Sequence, residues 1–168
     1  IYSGEKNSSM QLVSFQESQK KLVTKFDFLP FANSSNMGIK RDCFISLGGF
    51  NESFTTGEDT EICWRAQLAG FTLGFDESAH VFYRLRQSFK GAYSQFQSYA
   101  RGDMRLVQEF DLGFHSYAHI SLRLVRVLFI LGFSPLAFVS GRFRRTLGCN
   151  LGYSSAILAH LFWRNRGS

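Results

Sequence analysis

The sequence has few cysteines, and they are not arranged as metal ligands. Cys43, Cys63 and Cys149 are scattered, odd in number and never spaced as C-x-x-C. This argues against a disulfide framework or a thiolate zinc site and for small core residues in a reduced, cytosolic setting. There is no P-loop, no G-x-G-x-x-G and no Ser/His/Asp set, so neither a nucleotide-phosphate loop nor a hydrolase triad can be read. Nucleic-acid motifs are absent as well, and no nucleic-acid partner is expected. No apolar run reaches the roughly 20 residues that span a bilayer. The uncharged run from Val127 to Ser140 has 14 residues and is interrupted by Pro135. A buried helix or one lying in the membrane plane fits it better.

Acidic charge is missing from the last third. Up to Asp111 there are 12 Lys and Arg against 13 Asp and Glu; beyond it there are seven Arg and no acid. The net charge of +6 therefore sits in the tail. Such a tail can meet anionic lipid, a phosphorylated substrate or nucleic acid. Its Arg residues interleave with aliphatics, which favours lipid.

What is present is globular. Hydrophobic residues make up 45% and charged residues 19% of the 168 positions, enough for a real core in one domain or a large piece of one. The 19 Phe suit a packed core or a face on a membrane. The chain begins at Ile1, without an initiator Met or a signal pattern, and is expected to be a fragment.

Residues 1–25 read as a strand remnant followed by a loop or short helix. Phe26 to Lys40 reads as a strand leaving a loop, with Met37 and Ile39 its apolar positions. Asp42 to Leu47 reads as a helical turn stopped by Gly48-Gly49. Glu58 to Ala69 reads as a helix, with Ile62, Ala66 and Ala69 at helical spacing, Glu61 and Arg65 an i,i+4 pair, and Gly70 the stop. Phe71–Phe75 and Ala79–Arg84 read as short strands. Ser88 caps a long helix to about Phe110, weakened by Gly91 and Gly102. Thr146 to Trp163 is uncharged but diluted by Asn150, by Gly or Ser breaks and by His160.

Three clusters bear on chemistry. Glu58, Asp59 and Glu61 crowd one helix start. Acids there complement the helix dipole, or one of them takes a proton from a hydroxyl nucleophile; spacing alone favours the first. His115 and His119 have a metal-capable spacing, but no Glu follows His115, so they read as surface or core residues. Arg84, Arg86 and Lys90 follow His80 as a solvated strand end or a phosphate clamp.

The ordered set N-M-G-I-K-R (Asn36 to Arg41), L-G-G-F-N-E (Leu47 to Glu52), G-E-D-T-E-I-C-W-R (Gly57 to Arg65) and A-G-F (Ala69 to Phe71) resembles the acceptor-side, C-terminal half of inverting family-2 glycosyltransferases with the GT-A fold. The resemblance runs from about Phe31 to Gly102. It implies that Asp59 is the base that deprotonates the acceptor hydroxyl and that Glu58 shapes the acceptor site. It implies that Asn36 and Met37 line the pocket floor from a strand, and that Trp64 and Arg65 support the base from behind. Trp64, Arg84 and Arg86 are counted with the acceptor-binding residues. It also implies a divalent metal, Mg or Mn, in the full enzyme, with ligands mostly outside this chain.

The departures narrow the expectation. No D-x-D occurs, so the donor half is expected upstream. Asn51 stands where Asp is usual. His80 lies early for a metal ligand. Q-S-Y-A-R-G (Gln97 to Gly102) does not match the processive Q-x-x-R-W, which favours single transfer.

The expectation is thus an α/β fold. Residues 1–111 form part of a GT-A domain and residues 112–168 a basic, aromatic helical tail. The expected partners are a nucleotide-sugar donor, a glycan or lipid-linked acceptor and an anionic membrane surface. The expected place is the cytoplasmic face of a membrane, peripheral or held by a short C-terminal segment. The alternative is a non-catalytic carbohydrate-binding or scaffold module derived from such an enzyme.

Overall fold

The computed structural model describes residues 21–79, 81, 86, 88–113 and 141–164. Its strands are β1 (Val23–Thr24) and β2 (Pro30–Phe31), followed by a 3-10 turn at Ser34–Asn36. Its helices are α1 (Arg41–Ser46), α2 (Glu58–Leu68), α3 (Phe89–Glu109) and α4 (Gly141–Arg164).

The described residues are therefore α-rich, with one two-stranded antiparallel sheet in the register Val23 to Phe31 and Thr24 to Pro30. This suits part of an α/β domain. Two expected strands are not found. Asn36 lies in the 3-10 turn, with Met37 extended just after it. Phe71–Phe75 joins no ladder among the described residues. Most of Ala79–Arg84 lies outside the described residues.

The β1–β2 hairpin turns through Phe26 and Asp27, both left-handed at φ 56° and 53°, and closes with the Phe28 N–H on Lys25 O at 3.1 Å. Paired left-handed residues match the twist of a tight hairpin. For a bulky Phe this backbone costs about 1–2 kcal/mol. Burial offsets that cost, because Phe26 packs against both core clusters. One cluster joins α2, the 54 loop and α3 through Phe54, Trp64 and Leu106. The other joins α3 and α4 through Ala100, Met104, Val107, Tyr153, Ala156 and Ile157.

α2 has the expected span but buries itself by its end rather than along one stripe. Asp59 to Trp64 are all buried, whereas Leu68 and Ala69 are exposed. The Ile62, Ala66, Ala69 periodicity therefore does not mark its inner face. The first half of the helix is enclosed by residues 29–37, by the 47–49 turn and by the Phe54–Leu106 cluster, so every side of it is covered.

α3 also has the expected span, and Ser88 caps it as expected, its hydroxyl accepting the Gly91 N–H at 3.0 Å. Gly102 is a contact point, not a weak one. A Cβ there would lie 2.8 Å from Thr56 Oγ1 and closer still to Thr56 O, so its absence lets the loop before α2 rest on α3. The Thr56 hydroxyl then donates to Ser98 O at 2.7 Å.

Thr146 to Trp163 lies wholly within α4. Its glycines are not breaks. Gly148 and Gly152 are where α4 meets α3, and a Cβ at Gly152 would lie 2.8 Å from the Tyr93 carbonyl carbon. Side-chain bonds also cross this contact: Tyr93 OH and Gln97 Nε2 donate to Ser155 Oγ at 2.9 and 3.3 Å, and Gln108 Nε2 lies 3.1 Å from His160 Nε2. Asp103 accepts Tyr153 OH at 2.5 Å and Lys25 Nζ at 2.6 Å. No helix among the described residues is long and apolar enough to cross a membrane. Val127–Ser140, His115 and His119 lie outside the described residues.

Candidate active site

The segment Leu29 to Ser34 runs antiparallel to α2 and is held by side chains from successive helical turns. Gln67 Nε2 donates to Pro30 O at 2.8 Å, and Trp64 Nε1 to Leu29 O at 2.8 Å. Cys63 Sγ accepts the Ala32 N–H at 3.5 Å, and Asp59 Oδ2 accepts the Ser34 N–H at 3.0 Å. Positions 59, 63 and 67 repeat every four residues, so they lie on one face and can bond one strand of backbone in order. Asp59 is the last rung.

Asp59 is buried at 9% exposure, in the first turn of α2. Its Oδ1 accepts the Thr60 N–H at 2.7 Å. The dipole reading is thus satisfied, because an acid meets a free N–H at a helix start. The Ser34 bond adds something that reading does not need: a second chain segment that fixes the plane of the carboxylate. A carboxylate offers about four acceptor sites, so capacity remains for a substrate proton. The Asn33–Asn36 turn lies over this position and is itself braced. Asn33 Oδ1 accepts the Ser35 N–H at 3.1 Å, and Asn36 Nδ2 donates to Ala79 O at 2.9 Å.

Glu61 has the structural role expected of it. Its carboxylate takes two parallel bonds of 2.8 Å from Arg65 Nε and Nη2. Arg65 also donates to the carbonyls of Leu47 and Gly49, the latter at 2.8 Å. This one guanidinium ties the Gly48-Gly49 turn after α1 to α2. The Glu61 bonds raise the pKa of Arg65 above its ordinary value and keep it charged.

The profile of glycosyl transferase family group 2 matches residues 11–163, most of the chain. The chain belongs to that family. Comparison with curated proteins and with solved structures gives no match.

In this chain the expected site residues do not all occupy one surface. Asp59 and Glu58 share the start of α2; Glu58 is half-buried and makes no ion pair among the described residues. Asn36 is exposed on the braced turn. Met37 is half-buried, its sulfur 3.5 Å from Cys63 Sγ, so it faces back toward α2.

Trp64 is corrected from substrate contact to core. It is fully buried, with ring centroids 5.0 Å from Phe28 and 5.1 Å from Phe110, and no acceptor can reach it. It stands on α2 beyond Asp59, within the core. Arg86 lines a separate groove along α3. His80 and Arg84 lie outside the described residues.

No group of three or more His, Cys, Asp or Glu among the described residues is placed to hold a metal ion. These residues therefore do not fit a metal site. Three features escape the sequence reading: the Ser34 brace on Asp59, the Thr56–Gly102 contact and the Lys25–Asp103–Tyr153 anchor. A fourth feature, the close approach of α4 to α3 at Gly148 and Gly152, does carry a sequence signal, the G-x-x-x-G spacing that suits close helix contact.

Proposed function

We propose that this chain is the acceptor-side part of an inverting, GT-A glycosyltransferase, and that Asp59 is its general base. The donor is a nucleotide-sugar and the acceptor an alcohol. Asp59 takes the proton of the acceptor hydroxyl as that oxygen attacks the anomeric carbon in line and the nucleotide leaves from the opposite face. One displacement inverts the anomeric centre. Glu58, beside the base and without an ion-pair partner among the described residues, bounds the acceptor position. The divalent metal expected in the full enzyme takes its ligands from outside the described residues.

The observation that carries this reading is the carboxylate of Asp59, fixed in plane by Ser34 and Thr60 at the start of α2. Pre-orientation of a base lowers the barrier only if the group itself moves the proton. Asp59→Asn keeps the shape and an acceptor oxygen but not the basicity. In the full-length protein, read by nucleotide release over a panel of donors, transfer should fall by about 10²- to 10⁴-fold while donor binding stays. Wild-type turnover in that variant ends the assignment.

We also propose peripheral attachment at the cytoplasmic leaflet through the basic tail, with seven Arg and no acid after Asp111. Binding to anionic liposomes should weaken as salt rises from about 50 to about 500 mM, because screening shortens the reach of exposed charges. Protein that stays in solution with every lipid removes this proposal.

A further inference from the structure

We infer that the groove along the first half of α3 binds a phosphate group carried by the acceptor. This rests on the acceptor-side reading above. The groove has a volume of about 660 Å³, within the range of small-ligand sites, and it opens to solvent. Among the described residues that line it, the charged groups have one sign: Arg86 and Lys90 stand among Thr56, Ser94, Ser98 and Tyr99, and none of these lining residues is an acid.

The state of the two cations points to an anion. Several other basic groups among the described residues are already engaged. Lys25 pairs with Asp103, Arg65 with Glu61, Arg105 lies over the Phe54 ring at 5.1 Å, and Arg101 bonds Gln97. Arg86 and Lys90 make no ion pair among the described residues, although they share one concave surface. Gly91 helps to place Arg86. A Cβ built on Gly91 would lie 3.3 Å from Arg86 Cδ, so the arm of Arg86 lies close against the first turn of α3. A guanidinium and an ammonium on one groove suit a phosphate, the first as a fork and the second as a point charge. The hydroxyls and the phenol beyond them suit the polar body of a polyol or sugar.

The groove also adjoins the proposed base. Thr56 lines it, lies three residues before Asp59 and is fixed to α3 through Ser98 O. An acceptor anchored here by phosphate would carry its hydroxyls toward the start of α2.

The test is equilibrium binding of glycerol 1-phosphate to the full-length protein at low salt, beside four other probes. These are glycerol, inorganic phosphate, a nucleoside diphosphate and phosphatidylglycerol vesicles. Glycerol 1-phosphate should bind more tightly than glycerol or inorganic phosphate. The double variant Arg86→Gln, Lys90→Gln should lose at least tenfold in affinity. The charge-matched pair Lys40→Gln, Arg41→Gln, exposed at α1, should stay within twofold. If both pairs lose equally, the effect is bulk charge and the site is refuted.

Preferential, variant-sensitive binding of the nucleoside diphosphate moves the groove to the donor and overturns the acceptor assignment. Variant-sensitive binding of vesicles alone makes it a lipid headgroup contact and overturns it too. Asp59→Asn should keep probe binding. Loss of the groove and loss of the base are thus read separately.

Discussion

Along α2, side chains at Asp59, Cys63, Trp64 and Gln67 bond the backbone of residues 29–34 one after another. Along the α3–α4 contact, Gly148 and Gly152 instead bring the two helices close, and side chains bond side chains across it at Asp103–Tyr153, Tyr93–Ser155, Gln97–Ser155 and Gln108–His160. In the first region side chains bond backbone; in the second, close packing at two glycines is joined by bonds between side chains. A ladder onto backbone fixes the direction and plane of each side chain in it, Asp59 included. Close packing with side-chain pairs fixes the separation and register of two helices, which is enough to back a site. The proposed base lies in the first region.

The comparison can be broken at either end, and the largest effect is expected in the first region. Arg65→Gln removes two bonds from Glu61 and two from the 47–49 turn. Glu61, with a side chain only 3% exposed, is left without its cation. Losing one partner of a buried pair costs about 3–5 kcal/mol, and the partial exposure of Arg65 brings the expectation to about 2–4 kcal/mol. Urea unfolding measures it. A loss well below 1 kcal/mol would show that the ladder is not what holds α2.

The helix contact comes next. Gly152→Ala gains about 1 kcal/mol of helix propensity. Against this, its Cβ meets the Tyr93 carbonyl, which as backbone cannot swing aside, and overpacking costs about 1–3 kcal/mol or more. The expected net is a loss of about 1–2 kcal/mol in thermal or urea unfolding. A gain would mean that propensity wins and that α3 and α4 are not in close contact there.

The smallest effect is again in the first region. Burial pushes the Cys63 thiol above its ordinary value near 9.0; the Ala32 N–H opposes this and the charge of Asp59 adds to it. The folded state thus holds that proton more tightly than the unfolded chain. This contribution to stability is complete below about pH 9 and is lost as pH rises through the raised folded value. Between about pH 8 and about pH 10, wild type should lose up to about 1 kcal/mol more than Cys63→Ala. Equal slopes would place the thiol in contact with water.

Much of the site was legible because its signals are local. Gly48-Gly49, Ser88 and Gly70 mark helix ends through conformation and capping, which depend on neighbours in sequence. The Glu61–Arg65 pair follows from one helical turn. The acids of α2 were legible as a cluster, and the ordered motifs around them carried the family. Trp64 was misplaced because its motif tells where it stands in the chain, not which way the indole faces. Phe71–Phe75 pairs with nothing among the described residues, because a strand needs a partner and apolar alternation does not supply one. Gly102 and Gly152 read as weak points because propensity counts only the helix they sit in, while their neighbours lie 46 and 59 residues away at Thr56 and Tyr93.

The sequence by itself determined the helix limits of α1 to α3, the uneven charge and the family. Each of these rests on local conformational preference or on composition. Only the tertiary structure decided that Asp59 is braced by Ser34, that Trp64 is core and that Arg86 and Lys90 share a groove. Those facts depend on contacts between segments far apart in the chain, where packing and hydrogen bonding select among partners that no local pattern can name.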